Sequence, residues 1–138
     1  MEAMVVIPTY NERDNVPVLI DRLREVLAGT HWEAIVVDDD SPDHTADVAR
    51  AIGAGDRRVR CIRRVGRRGL SGACLEGMLA SQSPIVAVID ADLQHDDRLL
   101  PAMLAILQKT GAEVKDAGTG LTFRRLNLLA ALNYVYGR

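Results

Sequence analysis

The chain has 138 residues, 48% hydrophobic and 26% charged, with a net charge of −2. This length suits one domain with a core of its own, and the near-neutral balance with 4% aromatics argues against a nucleic-acid binder. The start carries no secretory-leader pattern, and no apolar run approaches the roughly 20 residues of a membrane span. Cys61 and Cys74 lack a CxxC or Cys/His neighbour, so they read as buried free thiols of a reducing, cytoplasmic compartment and not as zinc ligands.

In chain order, residues 3–7, AMVVI, are a continuous apolar run closed by Pro8. Val16, Leu19, Ile20, Leu23 and Leu27 then keep the 3/4 spacing of a helix, which Asn11 caps with Asp14 in the first turn. AIVV at 34–37 is the second strand, closed by three aspartates, and Ser41-Pro42-Asp43 predicts a helix start with proline in the first turn. Val48, Ala49 and Ile52 give that helix its apolar side. VRCI at 59–62 is the third strand. A glycine-rich turn follows, and then a helix whose face is Leu75, Met78 and Leu79. IVAVI at 85–89 is the fourth strand, and Leu99, Leu100, Met103, Leu104 and Leu107 mark a fourth helix with Asp96-Asp97 at its start. Short unbroken apolar runs suit strands buried on both faces of a parallel sheet, and four strand–helix alternations predict a doubly wound α/β fold. Past residue 112 the rhythm fails. AEV begins a fifth strand that KDAGTG breaks, and TFRRLNLLAALNYVYGR reads as one more helix with Leu121, Leu128, Leu129, Leu132 and Val135 as its face.

Ligands of open α/β sheets bind beyond the carboxyl ends of the strands. The polar clusters PTYNE (8–12), DDDSPD (38–43) and DADLQH (90–95) fall at three such ends. If the chain stays extended, Asp90, Asp92 and Gln94 point the same way. Two carboxylates and an amide oxygen are hard ligands for Mg²⁺ or Mn²⁺, and a substrate diphosphate would complete the octahedron. A helix cap with solvated loop acids, or an acid/base carboxylate pair, are the other readings of this motif. Asp38, Asp39 and Asp40 repel one another, so at least one is expected to meet a ligand or cation. Tyr10 is placed to stack on a flat base and Glu12 to accept a hydrogen bond.

RRVRCIRRVGRR, 57–68, holds seven arginines. Without interleaved aromatics it reads as a solvated strand edge at Arg57 and Arg58 and a phosphate-facing loop at Arg67 and Arg68. GRRGLSGA, 66–73, has neither a P-loop nor a dinucleotide-fold spacing. His31, His44 and His95 read as solvated loop residues.

In this order and spacing, VVIPTYNERDNV, VVDDDSPDHTADVA, GRRGLSGACLEGM and VIDADLQHD resemble family 2 glycosyltransferases. The likeness covers residues 4 to about 110 and is strongest to the dolichyl- and polyprenyl-phosphate mannose synthases. It implies a GT-A nucleotide-sugar fold, with a mostly parallel, Rossmann-like sheet flanked by helices. Residues 1–112 would form the nucleotide-sugar-binding domain, and 113–138 a C-terminal remnant on the same domain. It further implies metal-dependent, inverting transfer of a sugar, mannose from GDP-mannose, to a lipid phosphate. On this resemblance Pro8, Tyr10, Glu12, Val37 and Asp39 hold the nucleoside. Asp90, Ala91 and Asp92 meet ribose, diphosphate and Mg²⁺ or Mn²⁺, with Asp90 and Asp92 the catalytic pair and Gln94 a further metal ligand. Arg67 matches a basic position in the glycine-rich turn. The implied partners are a nucleotide-sugar donor and a lipid-phosphate acceptor, with peripheral contact at the cytoplasmic face of a membrane. Oligomeric state is not legible.

The family's acceptor-binding segment is not recognisable, and residues 112–118 look like a join. Arg124 and Arg125 are the only late basic pair. A UDP-sugar transferase with another acceptor, and a nucleotide-binding module without transfer, therefore stand beside the first reading.

Overall fold

The computed structural model describes residues 2–115, 118 and 122–125. The chain forms two compact units, Met1–Asp97 and Arg98–Arg138.

In the first unit, β1 (Glu2–Thr9), α1 (Asn15–Val26), β2 (His31–Asp38), α2 (Thr45–Gly55), β3 (Val59–Arg63), α3 (Leu70–Leu79) and β4 (Val86–Val88) alternate along the chain. The strands pair in the order β3-β2-β1-β4, all parallel. The Rossmann-like expectation is thus met, and its reason is visible in burial. Residues 3–7 of β1 and 34–37 of β2 are wholly or almost wholly buried, as central strands covered on both faces require. Met4, Val6, Ile35, Val37 and Ala73 form one packed cluster between the sheet and α3. On α1 the spaced residues Val16, Leu19, Ile20 and Leu23, with Leu27 just beyond, are all buried. Each such side chain contributes about 1.5–3 kcal/mol by leaving water.

Several expectations give way. α1 starts at Asn15, and Asn11 has φ 59°, so it shapes a left-handed turn and does not cap the helix. α2 starts at Thr45, not at Pro42, because the Asp43 carboxylate accepts from the Thr45 amide and hydroxyl. β4 is short and its residues are half-buried or exposed, because among the described residues it lies at the edge of the sheet with β1 as its only strand neighbour.

α3 is turned the other way round from the sequence expectation. Leu75, Met78 and Leu79 face solvent, while Ala73 and Gly77 are buried. The close approach of helix to sheet dictates this. A β-carbon on Gly77 would lie 2.4 Å from a methyl of Val6, so only the smallest residues fit that face. Cys61 in β3 and Cys74 in α3 are free and half-buried. Burial pushes the Cys61 thiol up to about 11, which keeps it un-ionised at neutral pH.

In the second unit, α4 (Leu100–Thr110) buries Leu100 and Leu104, one turn apart, and exposes Met103; Leu99, just before it, is exposed too. β5 (Ala112–Lys115) and β6 (Thr122–Arg125) pair antiparallel, Ala112 opposite Arg125 and Lys115 opposite Thr122. TFRR is therefore strand, not the start of a helix; a β-branched and an aromatic residue suit a pleated pair. The apolar face expected at Leu121, Leu128, Leu129, Leu132 and Val135 lies outside the described residues.

Candidate functional site

With strand order 3-2-1-4, the chain reverses its winding between β1 and β4, and a crevice opens beyond their carboxyl ends. The loops after β1, β2, β3 and β4 all leave the sheet on that side.

The first two loops are fastened together. Asp38, fully buried at the end of β2, accepts from the Thr9 hydroxyl at 3.1 Å, the Ser41 amide at 2.9 Å and the Ser41 hydroxyl at 2.5 Å. The backbone amides of Asn11, Glu12 and Arg13 then donate in succession to Ser41 Oγ, Thr45 Oγ1 and Asp43 Oδ2. Burial alone would raise the Asp43 carboxyl. The Thr45 hydroxyl and the amides of Arg13 and Thr45 outweigh that and hold it below the usual carboxylate range. Three consecutive amides with side-chain acceptors fix the path of the chain just past Tyr10.

The three aspartates are separated in the same way, each with its own protein partners. Asp40 pairs with Arg63 at 2.6 Å. Asp39 pairs with Arg64, whose guanidinium is 4% exposed as a residue and donates to Asp39 Oδ1 at 2.6 Å, to the Gly69 carbonyl and to Glu76. The Gly69 amide donates to the other oxygen of Asp39 at 2.7 Å. Gly69, at φ 128°, takes a backbone angle that suits glycine alone. Gly72 leaves room for the guanidinium, since a β-carbon there would sit 2.6 Å from Arg64 Nη2. One buried arginine therefore ties the end of β2, the glycine-rich turn and α3 into a single block.

A slot of about 140 Å³ opens between these loops, lined by Pro8, Thr9, Tyr10, Asp39, Leu70 and Ala73. Tyr10 is 45% exposed, enough to offer a ring face, and the Arg68 guanidinium lies 4.7 Å from that ring's centroid. Of the expected nucleoside contacts, Pro8, Tyr10 and Asp39 line the slot. Val37 does not; it lies fully buried in the core beside Ala73. Glu12 accepts from the Asn15 side chain at 2.7 Å, and Arg67 pairs with Glu76 at 2.8 Å.

After β4 the chain does not stay extended. Ala91 and Asp92 form a turn and Leu93 has φ 62°, so Asp90, Asp92 and Gln94 do not share the face of one strand. Asp90 and Asp92 nevertheless flank a single tight turn, with Ala91 buried between them and Asp92 and Gln94 exposed. Asp92 Oδ1 accepts from the Gln94 amide at 3.0 Å, and Asp90 Oδ2 lies 3.3 Å from His95 Nε2. Each carboxylate thus keeps one oxygen without a hydrogen bond to any described residue. Among the described residues no three His, Cys, Asp or Glu side chains converge to form a cage. Two free carboxylate oxygens suit a hard divalent cation whose remaining ligands come from elsewhere.

The sequence missed several of these residues. Arg64 is one among seven arginines, Glu76 carries no motif in its helix, Thr9 sits inside PTYNE, and Ser41 reads as part of a helix start. His95 is solvated as expected, and its ring also reaches Asp90. Its position five residues on, across a tight turn, was the only available sign.

The family model for glycosyl transferase family 2 matches residues 4–126. The chain belongs to glycosyltransferase family 2. A dolichol-phosphate mannosyltransferase of Pyrococcus furiosus is 39% identical over 83% of the chain, and the matched segment spans 32% of that protein. The chain thus covers about a third of that relative's length. Among solved structures, a mannosyltransferase of Pyrobaculum calidifontis in complex with GDP-Man and Mn²⁺ superposes with a TM-score of 0.62 at 25% identity, covering 72% of this chain and 30% of that one. A Mycobacterium tuberculosis glucosyl-3-phosphoglycerate synthase with Mn²⁺, uridine-diphosphate-glucose and phosphoglyceric acid gives 0.61 at 26% identity, covering 77% and 39%. The parallel sheet of this family 2 member, flanked by helices, has the GT-A fold of those transferases.

Proposed function

We propose that this chain carries the donor half of a metal-dependent, inverting glycosyltransferase. It would move a sugar, mannose from GDP-mannose, to a polyprenyl or dolichyl phosphate. The observation that carries this reading is the pairing of the tyrosine-walled slot with the free carboxylate oxygens of Asp90 and Asp92 on one rim. A nucleotide needs both, a flat apolar place for its base and a neutralised place for its phosphates. The likeness to a dolichol-phosphate mannosyltransferase supports the acceptor, and the complex of a fold relative with GDP-Man and Mn²⁺ supports donor and cation.

In this reading the base enters the slot of Pro8, Tyr10 and Asp39. Tyr10 supplies a stacking face, and Asp39, oriented by Arg64 and Gly69, offers its remaining lone pairs. Glu12 and the Val37 segment complete the nucleoside surroundings. Asp90 and Asp92, with Gln94, would hold Mg²⁺ or Mn²⁺, and Ala91 brings the backbone close to the ribose. The cation, when bound, offsets the charge that builds on the departing diphosphate. Arg67, paired with Glu76 here, lies on the same loop and is exposed enough to turn toward that charge.

No general base is required of the protein. A phosphate monoester is largely ionised at neutral pH, its second pKa being about 6. Its oxygen attacks the anomeric carbon as the bond from that carbon to the diphosphate oxygen breaks. The electron pair leaves with the nucleoside diphosphate, and the configuration inverts. The chain's task is orientation and charge stabilisation.

The fold likeness to a uridine-diphosphate-glucose enzyme supports a second reading, in which the donor base is uracil. A nucleotide-binding module without transfer is the third reading. Calorimetric titration with GDP-mannose and UDP-glucose in Mn²⁺, joined to a polyprenyl-phosphate transfer assay, separates the three. The proposal expects GDP-mannose to bind at least tenfold more tightly and label to reach the lipid. Preference for UDP-glucose would replace the donor, and tight binding with no lipid product would leave the module.

A further inference from the structure

Arg57, Arg58 and Arg60 belong to the arginine run that the donor site leaves unused. They lie at the amino ends of the parallel strands, where the chain enters β3 and where His31–Glu33 open β2. An eight-residue strand spans about 25 Å, so this rim is well separated from the loops after β1 and β2.

Two clefts of about 450 Å³ and 400 Å³ open there and share Glu33 and Arg57 in their walls. The charges around them nearly cancel, with one exception. Arg58 pairs with Asp56 at 2.8 Å and lies over the Trp32 ring, 4.5 Å from its centroid. Arg60 pairs with Glu33 and donates to the Ala80 carbonyl, both at 3.1 Å. Arg57 makes no such bond with any described residue, so its positive charge is the one left over.

Beside the Glu33 carboxylate, which Arg60 pairs, the walls hold hydroxyl and amide groups able to donate. Ser81 Oγ accepts from the Ser83 amide at 2.9 Å, which leaves its own hydroxyl proton to give. Ser83 and Gln82 line the same cleft. The buried indole N–H of Trp32, in the wall of the other cleft, finds no acceptor among the described residues. An unspent guanidinium, a second held in place by Glu33, and surrounding hydroxyl and amide donors call for an oxygen-rich anion. Guanidinium forks match phosphate oxygens in particular.

We propose that the groove between Arg57 and Arg60, at the amino ends of the strands, is a second anion site for a phosphate-class group. Arg57 supplies the charge, and Arg60 with the Ser81–Ser83 turn supplies fixed donors. The group is either a soluble phosphate or the headgroup of an anionic lipid, and the chemistry of recognition is the same.

The test uses the whole chain in EDTA, which removes any cation-dependent phosphate binding at Asp90 and Asp92. Inorganic pyrophosphate is titrated by calorimetry, and co-sedimentation is measured with vesicles containing phosphatidylglycerol. Saturable binding of either probe is expected, weakened at least tenfold in Arg57→Ala and unchanged in Asp92→Ala. Arg57 bonds to no described residue, so its removal should leave the melting temperature in place. Binding of pyrophosphate alone assigns a soluble ligand, and binding of vesicles alone assigns a lipid. Absence of both, equal binding by Arg57→Ala, or loss of binding in Asp92→Ala overturns the proposal.

Discussion

Among the described residues, Arg64 and Asp39 form the one ion pair whose two side chains are both almost wholly withdrawn from water, at 5% and 10% exposure. Such a pair is weak evidence of net stabilisation, because desolvation offsets attraction, but breaking it strands a charge. We expect Arg64→Met to destabilise the chain by about 3–5 kcal/mol in urea denaturation. Asp39→Leu added to it should recover part of that loss. If the single variant lost under 1 kcal/mol, Arg64 would not be the brace described here. Asp56 makes a second residue-scale case. The Arg58 side chain, above all, and then the Arg58 amide and Arg24 hold its carboxyl well below the ordinary range. A depressed folded-state pKa contributes stability that is present above the unfolded value near 4 and is lost as pH falls toward the folded value. Asp56→Asn should therefore lose stability at pH 7 and show a flatter decline below pH 4 than the parent, followed by circular dichroism. An unchanged acid limb would contradict the assignment.

Elements were legible from the sequence wherever burial alone decides them. The runs 3–7 and 34–37 became central strands, and the spaced residues of α1 all turned inward. Reading failed where geometry outranked hydrophobicity. α3 shows this best: Leu75, Met78 and Leu79 looked like a core face, but helix and sheet approach too closely for them. Gly77→Ala should cost about 1–3 kcal/mol through overpacking against Val6. Gly55→Ala, with nothing within 4 Å of the added carbon, should be neutral or slightly stabilising in thermal melts. Equal effects at the two glycines would sink the packing argument. At β4 the edge position was hidden for a related reason: the apolar run predicts a strand, but strand order follows from crossovers between distant segments. The turn at Ala91–Asp92 escaped as well, since no glycine or proline marks it and Leu93 adopts a left-handed angle.

For the whole molecule, the sequence motifs gave the rim, and the structure gave the bonds that hold it. PTYNE and DDDSPD are bonded to each other as their strand ends predict, and DADLQH leaves the same side of the sheet, yet the block formed by Asp39, Arg64, Gly69 and Glu76 could not be inferred from spacing, because its members lie on separate segments. No helix among the described residues is long and apolar enough to cross a membrane. The residues proposed to hold donor and cation all fall within the first unit, so nucleotide binding is testable on the chain as it stands. The decisive measurement is the affinity for GDP by calorimetry in Mn²⁺ and in EDTA, for the parent chain and for Asp92→Ala. The account predicts that EDTA and the substitution each weaken binding at least tenfold, and that Mn²⁺ no longer helps the variant. Binding that is indifferent to both would contradict the central claim that a cation joins Asp90 and Asp92 to the phosphates.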